Sequence, residues 1–358
     1  MESANGVVTN RCRRGIIAAV LNNETTKRKM PIARVLEVLA DARAVLLSGH
    51  VRPDGDALGS AVALGRLLAR QGVRVTVTAD QAHLGSPGFL KSCSPIVSPE
   101  AAAADTYDTM AMLDCGAFDR IPQPLRALAQ SLPLLNIDHH CTNTRFGAVN
   151  WIDHTASSTS EMIWKLARRG GWRLDRDTAE ALWVGLITDT GRFAHDQTRP
   201  STLRCGADLL KHGVRTAWIN DRLYGFFSRE VLDLKRRAFD SLQVWRDGDV
   251  AVVTLTERDF AETGCVKADA EDVIEIPRSL AGSRVALFFY EGKADERVTR
   301  LSIRTRDPLD ATTLAQRFGG GGHARAAGCT IKACLAEAVP LVRATVDEWL
   351  HAFPPETA

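Results

Sequence analysis

Two short segments carry most of the side chains here that could do chemistry. His50-Val51-Arg52-Pro53-Asp54-Gly55-Asp56-Ala57-Leu58-Gly59-Ser60 follows the apolar run Ala44-Val45-Leu46-Leu47, and Asp138-His139-His140 follows Leu132-Pro133-Leu134-Leu135. Asp114-Cys115-Gly116 ends another apolar run, and Thr188-Asp189 ends an apolar helical stretch. Four aspartates (Asp54, Asp56, Asp114, Asp189) and two histidines (His50, His139) make a hard, oxygen-rich ligand set. Such a set suits Mn²⁺ first, with Mg²⁺ or Co²⁺ as alternatives, over structural Zn²⁺. Carboxylates gathered without cations would repel and raise one another's pKa. Two divalent ions roughly 3.5–4 Å apart, sharing one carboxylate, remove that conflict and open metal-assisted hydrolysis. Asp56 alone could be an ordinary helix N-cap; the whole set, each member at an element end, points to metal.

The elements that must position these groups alternate along the chain. Strands are expected at 44–48, 73–78, 109–113 and 132–137, and helices at 32–41, 57–71, 157–169 and 177–188. The alternation predicts an α/β fold: a mostly parallel sheet flanked by helices, followed by a smaller C-terminal α/β domain. Ligands of such sheets sit beyond the carboxyl ends of the strands, where the polar clusters fall. Gly55 is expected to make a tight turn, with Asp54 and Asp56 on extended backbone aimed into one cavity. The domains expected are a poorly ordered extension over 1–30, a metal-binding catalytic domain over 31–222, a helical linker over 223–243, and a substrate-binding domain over 244–352.

Composition narrows the class. The 358 residues are 45% hydrophobic and 25% charged, with a net charge of +2. This is a globular composition with no global field for nucleic acid or membrane, so an anionic ligand needs a local site. The eight cysteines form no C-x-x-C pair, which disfavours a zinc ribbon and fits free thiols in a reducing cytoplasm. No apolar run approaches the roughly 20 residues that span a bilayer. Gly15 to Leu21 after Arg11, Arg13 and Arg14 looks superficially like a signal peptide but lacks a cleavage site. Aromatic residues are 6% and show no basic-aromatic stripe for long single strands.

Taken together, the His50–Ser60 segment, Asp114-Cys-Gly116, Asp138-His-His140 and Thr188-Asp189 resemble the four motifs of the DHH phosphoesterases. Phe318-Gly319-Gly320-Gly321-Gly322-His323-Ala324-Arg325-Ala326-Ala327-Gly328 resembles the signature of the DHH-associated substrate-binding domain; Val273 to Ser279 and Leu301 to Arg304 also fit it. The resemblance runs from about 35 to 350. Its two-domain layout is similar to the branch that shortens very short oligonucleotides (nanoRNA) to mononucleotides and dephosphorylates 3′-phosphoadenosine 5′-phosphate (pAp). Phosphodiesterases of linear or cyclic dinucleotide messengers are the alternative, and a non-catalytic nucleotide-binding protein a more distant one.

The resemblance implies roles. His50, Asp54 and Asp114 would hold one cation; Asp56, Asp114, His139 and Asp189 the other, with Asp114 bridging. His140 would serve the scissile phosphate as hydrogen-bond or proton donor, and Asp138 would orient the imidazoles. Arg52 stands where the family often has Asn. Glycines 320, 321 and 322 would bring backbone N–H groups close to a phosphate and let a helix open after them. Arg304, His323, Arg325 and Arg278 would add side-chain contacts. Expected partners are short RNA or DNA oligonucleotides and small nucleotides, with no membrane, and a homodimer as the common assembly.

Overall fold

A computed structural model describes residues 31–353 except 226, 271 and 293–296, with only the backbone of 82 and 323. The extension expected over 1–30 lies outside the described residues. Strands β1 (Ala44–Ser48), β2 (Arg74–Thr78), β3 (Ile96–Val97), β4 (Thr109–Leu113), β5 (Leu134–Asp138) and β6 (Val149–Ile152) form one sheet, ordered β3-β2-β1-β4-β5-β6. All five pairings are parallel. Strands of such a sheet are buried on both faces and read as unbroken apolar runs. In β4 and β5, Ala111, Leu113, Leu135 and Ile137 enter one core, while Met110, Met112 and Leu134 enter another on the opposite face.

Helices α1 (Pro31–Asp41), α2 (Gly55–Arg70), α3 (Thr159–Gly170) and α4 (Arg176–Asp189) contribute Leu36, Leu58, Val62, Met162, Leu166, Leu182 and Leu186 to the first core. Chain order along the sheet reverses between β1 and β4. Adjacent loops there part to opposite sides, and that crevice is where open α/β sheets take ligands. His50 to Asp56 follow β1 and Asp114 follows β4.

The chain divides into two compact units near residue 226. In the second, β7 (Gln243–Trp245), β8 (Val250–Leu255), β9 (Val285–Glu291), β10 (Thr299–Thr305), β11 (Gly321–His323) and β12 (Ala326–Ile331) form a mixed sheet, ordered β11-β12-β10-β9-β8-β7. Only β8 and β9 run parallel. Helix α5 (Arg229–Asp240) falls in the segment expected as a linker, yet Leu234 and Ala238 are buried with Val253 and Phe288. The helix is thus part of this unit's core, because an amphipathic stripe needs a partner surface. Helix α6 (Leu335–His351) covers the other face through Val342, Val346 and Leu350. Among the described residues, no helix is long and apolar enough to cross a membrane.

Candidate metal centre

Helix α2 begins two residues earlier than its apolar pattern suggests. Asp54, not Asp56, is its N-cap: Asp54 Oδ1 accepts from Asp56 N and Ala57 N, both at 3.0 Å. Gly55 is therefore the first helical residue rather than a turn, and Asp56 sits inside the first turn. The two carboxylates diverge by cap geometry, not by strand alternation. Asp56 is fully buried. Its Oδ2 accepts from Thr159 N at 2.5 Å and its Oδ1 from Ser160 N at 2.8 Å. These are orphan donors of the first turn of α3, which favour a negative charge. The Thr159 hydroxyl also donates to Asp114 Oδ1 at 3.2 Å. The N-terminus of α3 thus fixes two carboxylates at once, a role the sequence reading did not assign. Ser158-Thr159-Ser160-Glu161 carries the S-x-x-E signature of a helix start, and Ser158 Oγ caps Glu161 N at 3.0 Å.

The expected ligands converge. His50 Nε2 lies 3.7 Å from Asp114 Oδ2 and 4.0 Å from Asp54 Oδ2. His139 Nε2 lies 3.5 Å from Asp114 Oδ1 and 3.1 Å from Asp189 Oδ2. Three overlapping sets, His50-Asp54-Asp114, Asp56-His139-Asp189 and Asp114-His139-His140, each offer donor atoms within 4.8 Å of one another. Asp114 belongs to two of them, on backbone at φ 55°. Such a left-handed conformation is tolerated better by Asp than by most residues.

The electrostatics are those of a site built around cations. Burial, then the charges of Asp114 and Asp189, push Asp56 well above the ordinary carboxylate range. Burial also raises Asp189, against the pull of His139. Burial would raise Asp114 too, but contact with His139 and the charges of three imidazoles outweigh it and hold it low. Burial would lower His139, but Asp114 and Asp189 overcome it and hold it well above its usual value. Asp189 Oδ2 is buried without a hydrogen bond of good geometry. A buried carboxylate oxygen whose near contact is the His139 ring, beside a hard donor set, fits a divalent cation.

Outside the ligands, His140 Nδ1 donates to Asp138 Oδ1 at 2.6 Å, and Asp138 also accepts from His139 N at 2.9 Å. Asn143 Nδ2 bonds Asp138 Oδ2 at 2.5 Å and Asn136 Oδ1 at 2.9 Å. Both asparagines are absent from the sequence reading; neither has a spacing that would mark it.

In the second unit, the glycine run opens no helix. Gly321–His323 is instead strand β11, antiparallel to β12. A Cβ on Gly320 or Gly322 would run into the backbone of β12, so these glycines let two strands approach. The His323 side chain lies outside the described residues. Arg325 pairs with Asp307 and donates to Leu309 O at 2.6 Å. Arg278 pairs with Glu275 at 2.9 Å. Arg304 alternates with the apolar residues of β10, and its Nη1 donates to Ile303 O at 3.0 Å. Burial pulls its pKa down.

Comparison with known proteins agrees with this geometry. The DHH family N-terminal domain matches residues 44–186, and the DHHA1 domain matches residues 247–352. A Thermus thermophilus protein named bifunctional oligoribonuclease and PAP phosphatase NrnA is 31% identical, covering 84% of this chain and 87% of its own. Its Bacillus subtilis namesake is 28% identical, covering 80% and 89%. The crystal structure of an exopolyphosphatase-related protein from Bacteroides fragilis superposes with a TM-score of 0.81 at 25% identity, covering 89% of this chain and 96% of that one. The chain belongs to the DHH family, with a DHHA1 domain as its second unit.

Proposed function

We propose that this DHH-family hydrolase is a metal-dependent phosphoesterase that shortens very short oligonucleotides to mononucleotides and converts 3′-phosphoadenosine 5′-phosphate to AMP. The observation that carries the reading is the convergence of His50, Asp54, Asp56, Asp114, His139 and Asp189 beside the switch point of the sheet. The names of the Thermus and Bacillus relatives support the choice of substrates. His50, Asp54 and Asp114 would hold one divalent cation and Asp56, Asp114, His139 and Asp189 the other, Mn²⁺ being the preferred ion. Bound there, the cations would supply Lewis acidity toward the phosphoryl oxygens and an activated water.

The chain's own groups do the rest. Asp138 accepts the Nδ1 proton of His140 and so fixes the ring. Burial would lower the His140 pKa, but the bond to Asp138 and the charge of Asp114 raise it. Protonated, His140 can hand a proton to the leaving oxygen at Nε2. Asp138, itself bonded by Asn143, holds it in place, while the N-terminus of α3 orients Asp56. Arg304, cationic and without a bonded carboxylate among the described residues, is the preferred phosphate contact of the DHHA1 domain.

Purified protein with Mn²⁺ should hydrolyse dinucleotide RNA and pAp faster than cyclic dinucleotides. Asp114→Asn should lower kcat by at least about 10³-fold, since Asp114 sits in two ligand sets. Preferred turnover of cyclic dinucleotides, with pAp untouched, would overturn the substrate assignment in favour of a messenger phosphodiesterase.

A further inference from the structure

Eight non-glycine residues among those described have positive φ, and five lie in the first unit: Arg52, Asp114, Arg145, Arg192 and Phe193. All five are on loops that carry the metal-centre motifs. Asp and Asn adopt this backbone readily, whereas arginine rarely does. Five of the eight are arginines: Arg52, Arg145 and Arg192 beside these motifs, at φ 56°, 55° and 60°, and Arg246 and Arg297 in the second unit. Strain of this kind persists where something other than stability selects it.

Each arginine is exposed and flanks a different motif. Arg52 stands between His50 and Asp54. Arg145 closes the loop after His140; Thr144 N bonds Gly116 O at 2.9 Å and ties that loop to the one after Asp114. Arg192 follows Asp189 within a run of left-handed residues, Gly191-Arg192-Phe193. Its guanidinium lies 4.7 Å from the centroid of the Tyr224 ring, a cation–π contact that positions it without neutralising it. Although the neighbouring centre is crowded with carboxylates, none of the three guanidinia has an ion-pair partner among the described residues.

We infer that Arg52, Arg145 and Arg192 form a rim subsite on the catalytic unit for a second phosphate of the substrate, the one that is not cleaved. Guanidinium groups recognise phosphate oxygens bidentately, and three unpaired ones around an anion-cleaving centre select substrates with more than one phosphate group. The inference rests on the reading above, and it locates part of the substrate selection in the catalytic unit rather than in the DHHA1 domain. A free nucleoside bisphosphate and a 5′-phosphorylated dinucleotide share this chemistry.

The test is the triple variant Arg52→Asn, Arg145→Asn and Arg192→Asn, with the three single variants beside it. Activity is measured on adenosine 3′,5′-bisphosphate, on a 5′-phosphorylated dinucleotide and on the p-nitrophenyl ester of thymidine 5′-phosphate, which has one phosphate. The expected result is a tenfold or greater fall in kcat/KM for the two-phosphate substrates relative to the one-phosphate ester. The Tm should hold or rise by a few degrees, because asparagine relieves the left-handed strain. A ratio that stays constant overturns the inference, and so does a lowered ratio accompanied by a fall in Tm, which would make the arginines structural. If the wild type cleaves none of the three, the proposed function fails instead. The rim is then judged by calorimetric affinity for adenosine 3′,5′-bisphosphate alone, expected to be at least tenfold weaker in the triple variant; equal affinity overturns it.

Discussion

Gly185→Ala separates the metal centre from the general stability of the fold. Gly185 lies on α4, one turn before Asp189, where α4 packs on α2 and α3. A Cβ there would stand 2.5 Å from Asp56 Oδ1, 2.9 Å from Ser160 Cβ and closer still to Ser160 Oγ. Ordinary contact needs roughly 3.5–4.0 Å, so Asp56 or α4 must move by about 1 Å. Asp56 cannot yield toward α3, because Thr159 N and Ser160 N already hold both its oxygens. Helix propensity favours alanine by about 1 kcal/mol, and overpacking costs about 1–3 kcal/mol. The net destabilisation is about 0–2 kcal/mol, a Tm loss of a few degrees for a domain of this size. A ligand displaced by about 1 Å exceeds the ~0.5 Å tolerance of a preorganised site, so Mn²⁺ affinity should fall about 10–100-fold. Melts without added metal and calorimetric Mn²⁺ titrations read the two effects separately. Wild-type Mn²⁺ affinity in Gly185→Ala would show that the packing of α4 on Asp56 does not set the metal site.

Other substitutions probe other parts. Asp138→Asn removes the charge behind the His140 bond and turns one acceptor oxygen into a donor, and should lower kcat about 10–100-fold with a smaller change in Mn²⁺ affinity, as steady-state kinetics and calorimetry would show. Arg304→Ala should raise KM for dinucleotides about tenfold or more, the worth of a charged hydrogen bond of roughly 1.5–3 kcal/mol; equal loss on a minimal phosphoester would count against a clamp. Asp175 caps α4 through Thr178 N and pairs with Arg66 at 2.9 Å. Burial pushes its carboxyl up, but the Thr178 bonds and Arg66 hold it well below the usual range. Its folded pKa is depressed, so its stabilisation is present above the unfolded value of about 3.9 and is lost as pH falls below it. The Tm gap between wild type and Asp175→Asn should therefore be full at pH 7 and narrow progressively below about pH 4.

The parallel sheet was legible because β1, β4 and β5 are short apolar runs ended by polar clusters. The clustering of these carboxylates and imidazoles was legible because such groups at strand ends have few other uses in combination. Local geometry was less so. Extended pairs and capped turns share the spacing Asp54-x-Asp56, and only the neighbouring backbone decides between them. The contribution of α3 comes from backbone N–H groups, which have no residue signature beyond a capping pattern. The glycines before His323 look alike whether they receive a phosphate or a neighbouring strand; tertiary pairing with β12 settles their conformation. Left-handed backbone at Arg52, Arg145 and Arg192 is invisible to composition, since arginine gives no hint of positive φ.

Anomalous diffraction at the manganese edge, from crystals grown with excess Mn²⁺, asks whether six side chains from separate elements grip a pair of cations. Two peaks are expected roughly 3.5–4 Å apart, one against His50, Asp54 and Asp114, the other against Asp56, Asp114, His139 and Asp189. No peak there, or a single ion bound elsewhere, would rule out a paired-cation centre.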